Sequence, residues 1–124
     1  MNVIPATVTG SGTTTTVELK GGATATLDIA TAPGDVGRSA SFGVRPEDLR
    51  ITSGGDFLFE GTVSIVEALG EVTLLYIEGL VEGEPIIAKI PGIQSVTRGD
   101  SVRFTADRSK LHLFDDEGKS YRAK

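Results

Sequence analysis

The sequence contains no cysteine and no tryptophan, and its only histidine is His112. Without thiols, the 124-residue chain has neither a disulfide framework nor a thiolate metal site, and a site built on a histidine pair is also excluded. Nowhere do about 18 apolar residues run together, as a membrane-spanning helix requires. Residues 1–5 lack the basic and apolar regions of a signal peptide. We therefore expect a soluble, unprocessed chain.

Basic residues are outnumbered by acidic ones, with 12 Lys plus Arg against 17 Asp plus Glu and a formal net charge of -5. The overall field therefore repels phosphate backbones and anionic membranes, and no Lys/Arg-rich run opposes it. Aromatic residues are also few: five Phe and two Tyr, Tyr76 and Tyr121. An OB fold that binds nucleic acid or sugar needs a basic groove or an aromatic platform. The sequence predicts no nucleic-acid partner.

Catalytic motifs are missing as well. The chain has no Gly-x-x-x-x-Gly-Lys-Ser/Thr phosphate loop and no cysteine nucleophile. Residues 115–118, Asp-Asp-Glu-Gly, lack the twelve-residue ligand spacing of a calcium loop and predict an acidic hairpin turn. We expect that this chain is not an enzyme and that it has no catalytic, cofactor-binding or metal-binding residues.

The pattern that is present is that of antiparallel β structure. Short segments rich in Val, Ile, Thr and Phe alternate with clusters of Gly, Asp and Pro, and Gly alone accounts for 16 residues. In residues 57–65 the apolar side chains fall on one face, but the alternation loses phase near Val66, which predicts a bulge, a bend or one helical turn. Residues 120–124 are expected to fray. We predict an all-β domain with at most one or two short helical turns.

Two stretches of the chain match each other at a constant offset of 62 residues. The matched pairs are Gly37 with Gly99, Ser39 with Ser101, Phe42 with Phe104, Leu49 with Leu111 and Ile51 with Leu113. Residues 6–8 match residues 61–63 more weakly, at an offset of 55. The alternative is chance similarity among strands punctuated by glycine. We interpret the match as a single domain, 1–124, built from two related barrel-like β units with possible halves 1–55 and 56–124.

Four segments carry a family resemblance. They are residues 1–5 (Met-Asn-Val-Ile-Pro), 42–49 (Phe-Gly-Val-Arg-Pro-Glu-Asp-Leu), 66–71 (Val-Glu-Ala-Leu-Gly-Glu), and 98–102 (Arg-Gly-Asp-Ser-Val) followed by 112–115 (His-Leu-Phe-Asp). In this order they resemble segments of the C-terminal TOBE-type, OB-like regulatory domain of maltose-type ABC importer ATP-binding subunits. Asp48 departs from the commoner His of the second motif, and the last Glu of the third motif would fall at Val72, so Glu71 matches only approximately.

The resemblance implies a non-catalytic regulatory and dimerisation domain from the ATP-binding subunit of a bacterial ABC importer for a sugar or related solute. The ATPase domain that would precede residue 1 is absent from this chain, so ATP and Mg would belong to the full-length parent. The implied partners are a second copy, the parent's ATPase domain, the membrane permease subunits and an inhibitory regulatory protein. The implied location is cytoplasmic, at the inner membrane through the transporter complex. The transported substrate is not encoded in this chain.

The candidate contact residues come from the motifs and the residues beside them. Pro46 fixes its own φ and biases Arg45 toward extended geometry, so this segment is either a structural corner, with Arg45 and Glu47 as an ion pair, or a contact with another protein segment. Gly70 is expected to supply a positive φ or a close approach. The candidate interface or regulatory residues are Arg45, Pro46, Glu47, Glu67, Leu69, Gly70, Glu71, His112, Phe114 and Asp115.

An alternative function is the sensing of a small oxyanion such as molybdate, because related OB-like domains of oxyanion importers look like molybdate binders. Backbone N–H groups of Gly-rich turns, with Ser39 or Ser101, would then be the donors. The chain has no paired Ser/Lys signature of that kind. The regulatory and dimerisation reading is therefore preferred.

Overall fold

The computed structural model describes residues 1–20, 22–55, 57–81, 84–92 and 94–123. The strands are β1 (Asn2–Gly10), β2 (Thr15–Leu19), β3 (Thr24–Leu27), β4 (Ser39–Val44), β5 (Arg50–Thr52), β6 (Phe59–Ala68), β7 (Val72–Val81), β8 (Glu84–Pro91), β9 (Ser101–Thr105) and β10 (His112–Phe114). Four single 3-10 turns occur in the described ranges, at Pro33–Asp35, Pro46–Asp48, Arg108–Lys110 and Tyr121–Ala123. The all-β prediction is confirmed, whereas the expected one or two helical turns were too few.

The strands form two five-stranded antiparallel sheets. The first has the order β10-β4-β1-β2-β3, and the second has the order β5-β9-β6-β7-β8. Alternation of apolar and polar residues decides which face is buried: every second residue of β1, from Asn2 to Val8, is buried, and the residues between them are exposed. One apolar core results, and its largest fully buried side chains include Phe42, Phe59 and Phe104.

The expected break in the alternation of the second sheet is a β-bulge. The register of β6 against β7 shifts between Val63 and Ile65, slightly before the position predicted from the sequence. Gly70, in the following turn, has a φ of 92°, a conformation that glycine adopts without steric cost. The chain end differs from the expectation: Tyr121 is buried, and Arg122 donates hydrogen bonds to the carbonyls of Ser109 and Leu111. Residues up to Arg122 are therefore packed, and residue 124 lies outside the described residues.

Equivalent strands of the two sheets pair in the same register. Ala6 pairs with Ala40 in the first sheet, and Gly61 pairs with Val102 in the second, which reproduces the offsets of 55 and 62 seen in the sequence. The first sheet also has the bulge, between Val8 and Gly10. The N–H of Gly37 donates to the carbonyl of Val8 at 2.7 Å, and the N–H of Gly99 donates to that of Val63 at 2.8 Å. The matched sequences therefore have matched backbone hydrogen bonds.

The short last strand of each sequence repeat pairs with the other repeat. Ile51 of β5 lies opposite Phe104 of β9, and Leu113 of β10 lies opposite Phe42 of β4. The 3-10 turn Pro46–Asp48, which leads into β5, packs against β8 of the second sheet. Residues 1–55 therefore do not make a closed unit, because their last strand belongs to the second sheet. The division into halves 1–55 and 56–124 stays an interpretation.

The side chain of Asn2 joins the start of β1 to the edge of β8. Its amide nitrogen donates to the carbonyl of Ile87 at 2.7 Å, and its amide oxygen accepts the N–H of Ile87 at 2.9 Å. Asn2 is buried, so water does not replace these bonds when they are lost. The side chain of Asn2 thus supplies both hydrogen bonds that a neighbouring strand would otherwise supply to the backbone of Ile87.

Replacing Asn2 by alanine should lower the free energy of unfolding by about 1–3 kcal/mol, because both backbone groups of Ile87 lose a partner. Chemical denaturation followed by circular dichroism measures the loss. Gln94→Ala is the control, since it removes the same amide group from an exposed bond to the carbonyl of Pro91. Equal stabilities of the two variants would contradict the role assigned to Asn2.

Gly61 has no space for a side chain. A Cβ at this position would overlap Cγ2 of Ile77 on the neighbouring strand β7. Gly61→Ala should therefore cost about 1–3 kcal/mol of stability, because the core must shift to accept one methyl group. Gly55→Ala is the matched control, since a Cβ there meets no atom within 4 Å. Thermal unfolding of both variants tests this, and an unchanged melting temperature for Gly61→Ala would show that Ile77 moves freely.

Candidate interaction surfaces

The candidate residues form two separate groups on the surface. The first group joins the corner after β4 to β10, and it contains Arg45, Pro46, Glu47, His112 and Phe114. The second group is the hairpin between β6 and β7, and it contains Glu67, Leu69, Gly70 and Glu71. Asp115, the last candidate, follows β10 and is buried. Whether any of these residues contacts a partner stays a prediction.

The corner after β4 has the geometry expected of a residue before proline. Arg45 is extended, with φ -76° and ψ 147°, and the Pro46–Asp48 turn follows it. Arg45 and Glu47 are both exposed, and among the described ion pairs none joins them. Asp48 instead lies 4.0 Å from the ammonium group of Lys110, the residue that matches it at the offset of 62. The corner is therefore built without the Arg45–Glu47 ion pair.

The imidazole of His112 lies on the outer surface of the first sheet, beside the corner. It stacks on the ring of Phe114 with centroids 6.4 Å apart, and both side chains lie close to the backbone of Gly43. Leu111 and Leu113 are buried on the opposite face, as the alternation predicts. Desolvation lowers the pKa of His112, and the positive charges of Arg122 and Arg45 lower it further, whereas Asp48 opposes them. The imidazole of His112 is therefore neutral at pH 7 and, with the ring of Phe114, forms an uncharged part of this group.

Asp115 has a structural role in the acidic turn predicted at residues 115–118. Its carboxylate oxygen Oδ1 accepts the backbone N–H groups of Glu117 at 2.9 Å and Lys119 at 2.8 Å. The turn is closed by the N–H of Gly118, which donates to the carbonyl of Asp115. Asp115 is buried, and through these bonds it stabilises the loop.

The hairpin between β6 and β7 presents an exposed leucine. The N–H of Leu69 donates to the carbonyl of Val72 at 2.9 Å, and the side chain of Leu69 is 58% exposed. Glu67 and Glu71 are also exposed. A hydrogen bond with Glu67 is the main cause that raises the pKa of Tyr76, which lies on the adjacent strand β7.

The outer surface of β7 and β8 was not among the predicted sites. Leu74, Tyr76 and Ile87 lie there, partly exposed, although each is on the face opposite the core. The sequence contains a signal for this surface, since β7 reads Val-Thr-Leu-Leu-Tyr-Ile with apolar residues at both odd and even positions. A strand that is apolar on both faces is covered on both faces in many proteins.

The described residues contain no group of three His, Asp or Glu side chains that could hold a metal ion. Within the same described ranges, no helix is long and apolar enough to cross a membrane. Tyr121 is buried in the core, so it forms no aromatic platform with Tyr76.

Two protein-family models match the chain. A model described as the TOBE domain matches residues 42–114, and a model described as the MalK OB fold domain matches residues 1–49. Both descriptions agree with the family resemblance drawn from the four sequence motifs, and that prediction is confirmed.

Curated relatives match over most of this chain but over a minor part of their own length. The alpha-glucoside transport ATP-binding protein AglK of Rhizobium meliloti is 72% identical over 99% of this chain and 34% of its own length. The maltose/maltodextrin import ATP-binding protein MalK of Vibrio cholerae is 31% identical over 86% of this chain and 28% of its own length. The sn-glycerol-3-phosphate import protein UgpC of Paracoccus denitrificans is 34% identical over 80% of this chain and 27% of its own length.

A solved structure shares the fold. It is the cytoplasmic molybdate-binding protein ModG with molybdate bound, which superposes with a TM-score of 0.68 over 90% of this chain and 94% of its own. Its sequence is only 16% identical, so the likeness shows the fold alone. Taken with the two sheets of matched register and the family matches, the structure shows that this chain belongs to the TOBE domain family and has the OB fold of MalK-type ATP-binding proteins.

Proposed function

We propose that this chain is the non-catalytic regulatory and dimerisation domain of an ABC importer ATP-binding subunit. The observation that carries the proposal is the 72% identity to AglK over 99% of this chain, although the chain spans only 34% of AglK. The chain has no phosphate loop, so ATP binding and hydrolysis belong to the remaining two-thirds of such a subunit.

In this proposal the domain holds two ATP-binding subunits together while their nucleotide domains open and close. A contact of this kind is usually isologous, with the same surface used on both copies. The domain also receives an inhibitory regulatory protein, and it is allosteric when that protein prefers one state of the dimer. The subunit is cytoplasmic and is held at the inner membrane by the permease subunits. The name of AglK makes an alpha-glucoside the first transported solute to test.

The 124-residue chain should release no phosphate from ATP and Mg above the buffer rate, because it lacks the groups that bind the phosphates. It should also sediment as a mixture of monomer and dimer, and the fraction of dimer should rise with protein concentration. Phosphate release that persists after repurification would contradict the non-catalytic assignment. A chain that remains monomeric would contradict the dimerisation assignment.

Arg45→Ala should raise the pKa of His112 toward its usual value, because one of the two positive charges that lower it is removed. His112 is the only histidine, so its ring proton gives a single titrating signal by NMR. The matched control is Arg98→Ala, which removes an exposed arginine that is not among the groups that shift His112. An unchanged pKa in Arg45→Ala would place Arg45 away from the imidazole.

The same variant tests the pH dependence of stability. The folded chain holds a proton on His112 less readily than the unfolded chain, so stability is full above the unfolded pKa, about 6.5, and falls as pH drops below it. Arg45→Ala should make this fall smaller. Melting temperatures measured at pH 7.5 and pH 5 in both proteins give the comparison, and an equal fall would contradict the effect of Arg45.

A further inference from the structure

Two rows of side chains cross the outer surface of the second sheet, over β6, β7 and β8. In one row Ile65, Tyr76 and Ile87 lie side by side, since Tyr76 pairs with both of the others. In the next row Glu67 and Lys89 lie on either side of Leu74 by the same two ladders. We call these six residues the β7 face. Ile65 is 51% exposed, and the face is covered by nothing in the described structure.

The corresponding row of the first sheet shows that the fold does not require this apolar surface. At the position after the shared bulge, Gly10 pairs with Thr16, and Thr16 pairs with Thr26. The same ladder positions hold Ile65, Tyr76 and Ile87 in the second sheet. Small and hydroxyl side chains occupy these ladder positions in the first sheet, so the strand pairing by itself does not require apolar side chains there.

The charged row has opposite signs on its two sides. The backbones of Glu67 and Lys89 are separated by two strand spacings, roughly 10 Å, with Leu74 between them. Among the described ion pairs, neither residue takes part. The carboxylate of Glu67 interacts with Tyr76 of the apolar row, and this interaction raises the pKa of Tyr76.

We infer that the β7 face binds the β7 face of a second copy of this chain, and this rests on the dimerisation function proposed above. A two-fold axis that runs along β7, in the plane of the contact, exchanges the two sides of each row. It places Glu67 of one copy over Lys89 of the second copy, twice, and it stacks the apolar rows on each other. The surface is therefore complementary to itself, as an isologous contact requires.

The opposite charges of Glu67 and Lys89 favour a second copy of this chain over other binding partners. A partner of one charge sign would face one favourable and one unfavourable side chain in the row, whereas a second copy pairs both. The chain's net charge of -5 opposes self-association through most of its surface, so a contact between copies needs a local pairing of this kind. Sheets that pack face to face lie about 10 Å apart, a distance that the rows of Leu74, Tyr76 and Ile87 fill.

Charge reversal in the 124-residue chain tests the arrangement by sedimentation equilibrium. Glu67→Lys alone and Lys89→Glu alone each place like charges together at two points, and each should raise the dimer dissociation constant on the order of tenfold or more. The double variant, Glu67→Lys with Lys89→Glu, restores opposite charges at both points and should return the dissociation constant to within about threefold of the original. Ile65→Thr with Ile87→Thr replaces two apolar side chains of the face by smaller hydroxyl side chains, which the outer surface of a strand accepts, and it should abolish the dimer.

Controls separate the contact from the fold and from net charge. Glu18→Lys changes the net charge as Glu67→Lys does, but it lies on the outer surface of the first sheet and should leave the dimer unchanged. Unfolding curves verify that every variant is folded. A dimer that responds to Glu67→Lys no more than to Glu18→Lys overturns the β7 face and leaves the dimerisation function standing. A chain that stays monomeric up to about 1 mM overturns both.

Discussion

The exchange of short strands between the two sequence repeats is the constraint on which the rest of the structure depends. Ile51 pairs against Phe104, and Leu113 pairs against Phe42, so neither sheet is complete without a strand from the other repeat. The Phe rings at these ladders are fully buried, which makes strand pairing and core formation one event. Removal of either short strand therefore exposes a sheet edge and uncovers part of the core.

Because the two sheets are nearly symmetric, each position in one sheet can be compared with its equivalent in the other. Both sheets have the bulge, the glycine turn that caps it and the same ladder positions. Where both sheets have similar residues, as at Phe42 and Phe104, packing explains the similarity. Where they differ, as at Thr16 and Tyr76, the shared ladder does not by itself require the residue type. That contrast, and not exposure alone, separates the β7 face from the rest of the surface.

Much of the fold followed from pattern. The alternation in residues 57–65, the offset of 62 and the glycine at position 70 predicted strands, a repeat and a turn, because each depends on local geometry or on residue type. The bulge was located less well, since alternation shows a loss of phase only after the extra residue. Packing of Tyr121 was missed because residues 120–124 show no sign in their own sequence of the distant core residues that bury this side chain.

The sequence by itself determined the family and the absence of a phosphate loop, because both depend on residues that are close together in the chain. Tertiary structure alone decided that Asn2 bonds Ile87, that Asp48 lies near Lys110 and that Glu67 and Lys89 lie on either side of Leu74. Each of these joins residues far apart in the chain, so their meeting depends on strand order and register. Alternation with a two-residue period determines the face of the sheet on which a side chain lies, but it does not determine which residue lies beside it on the adjacent strand.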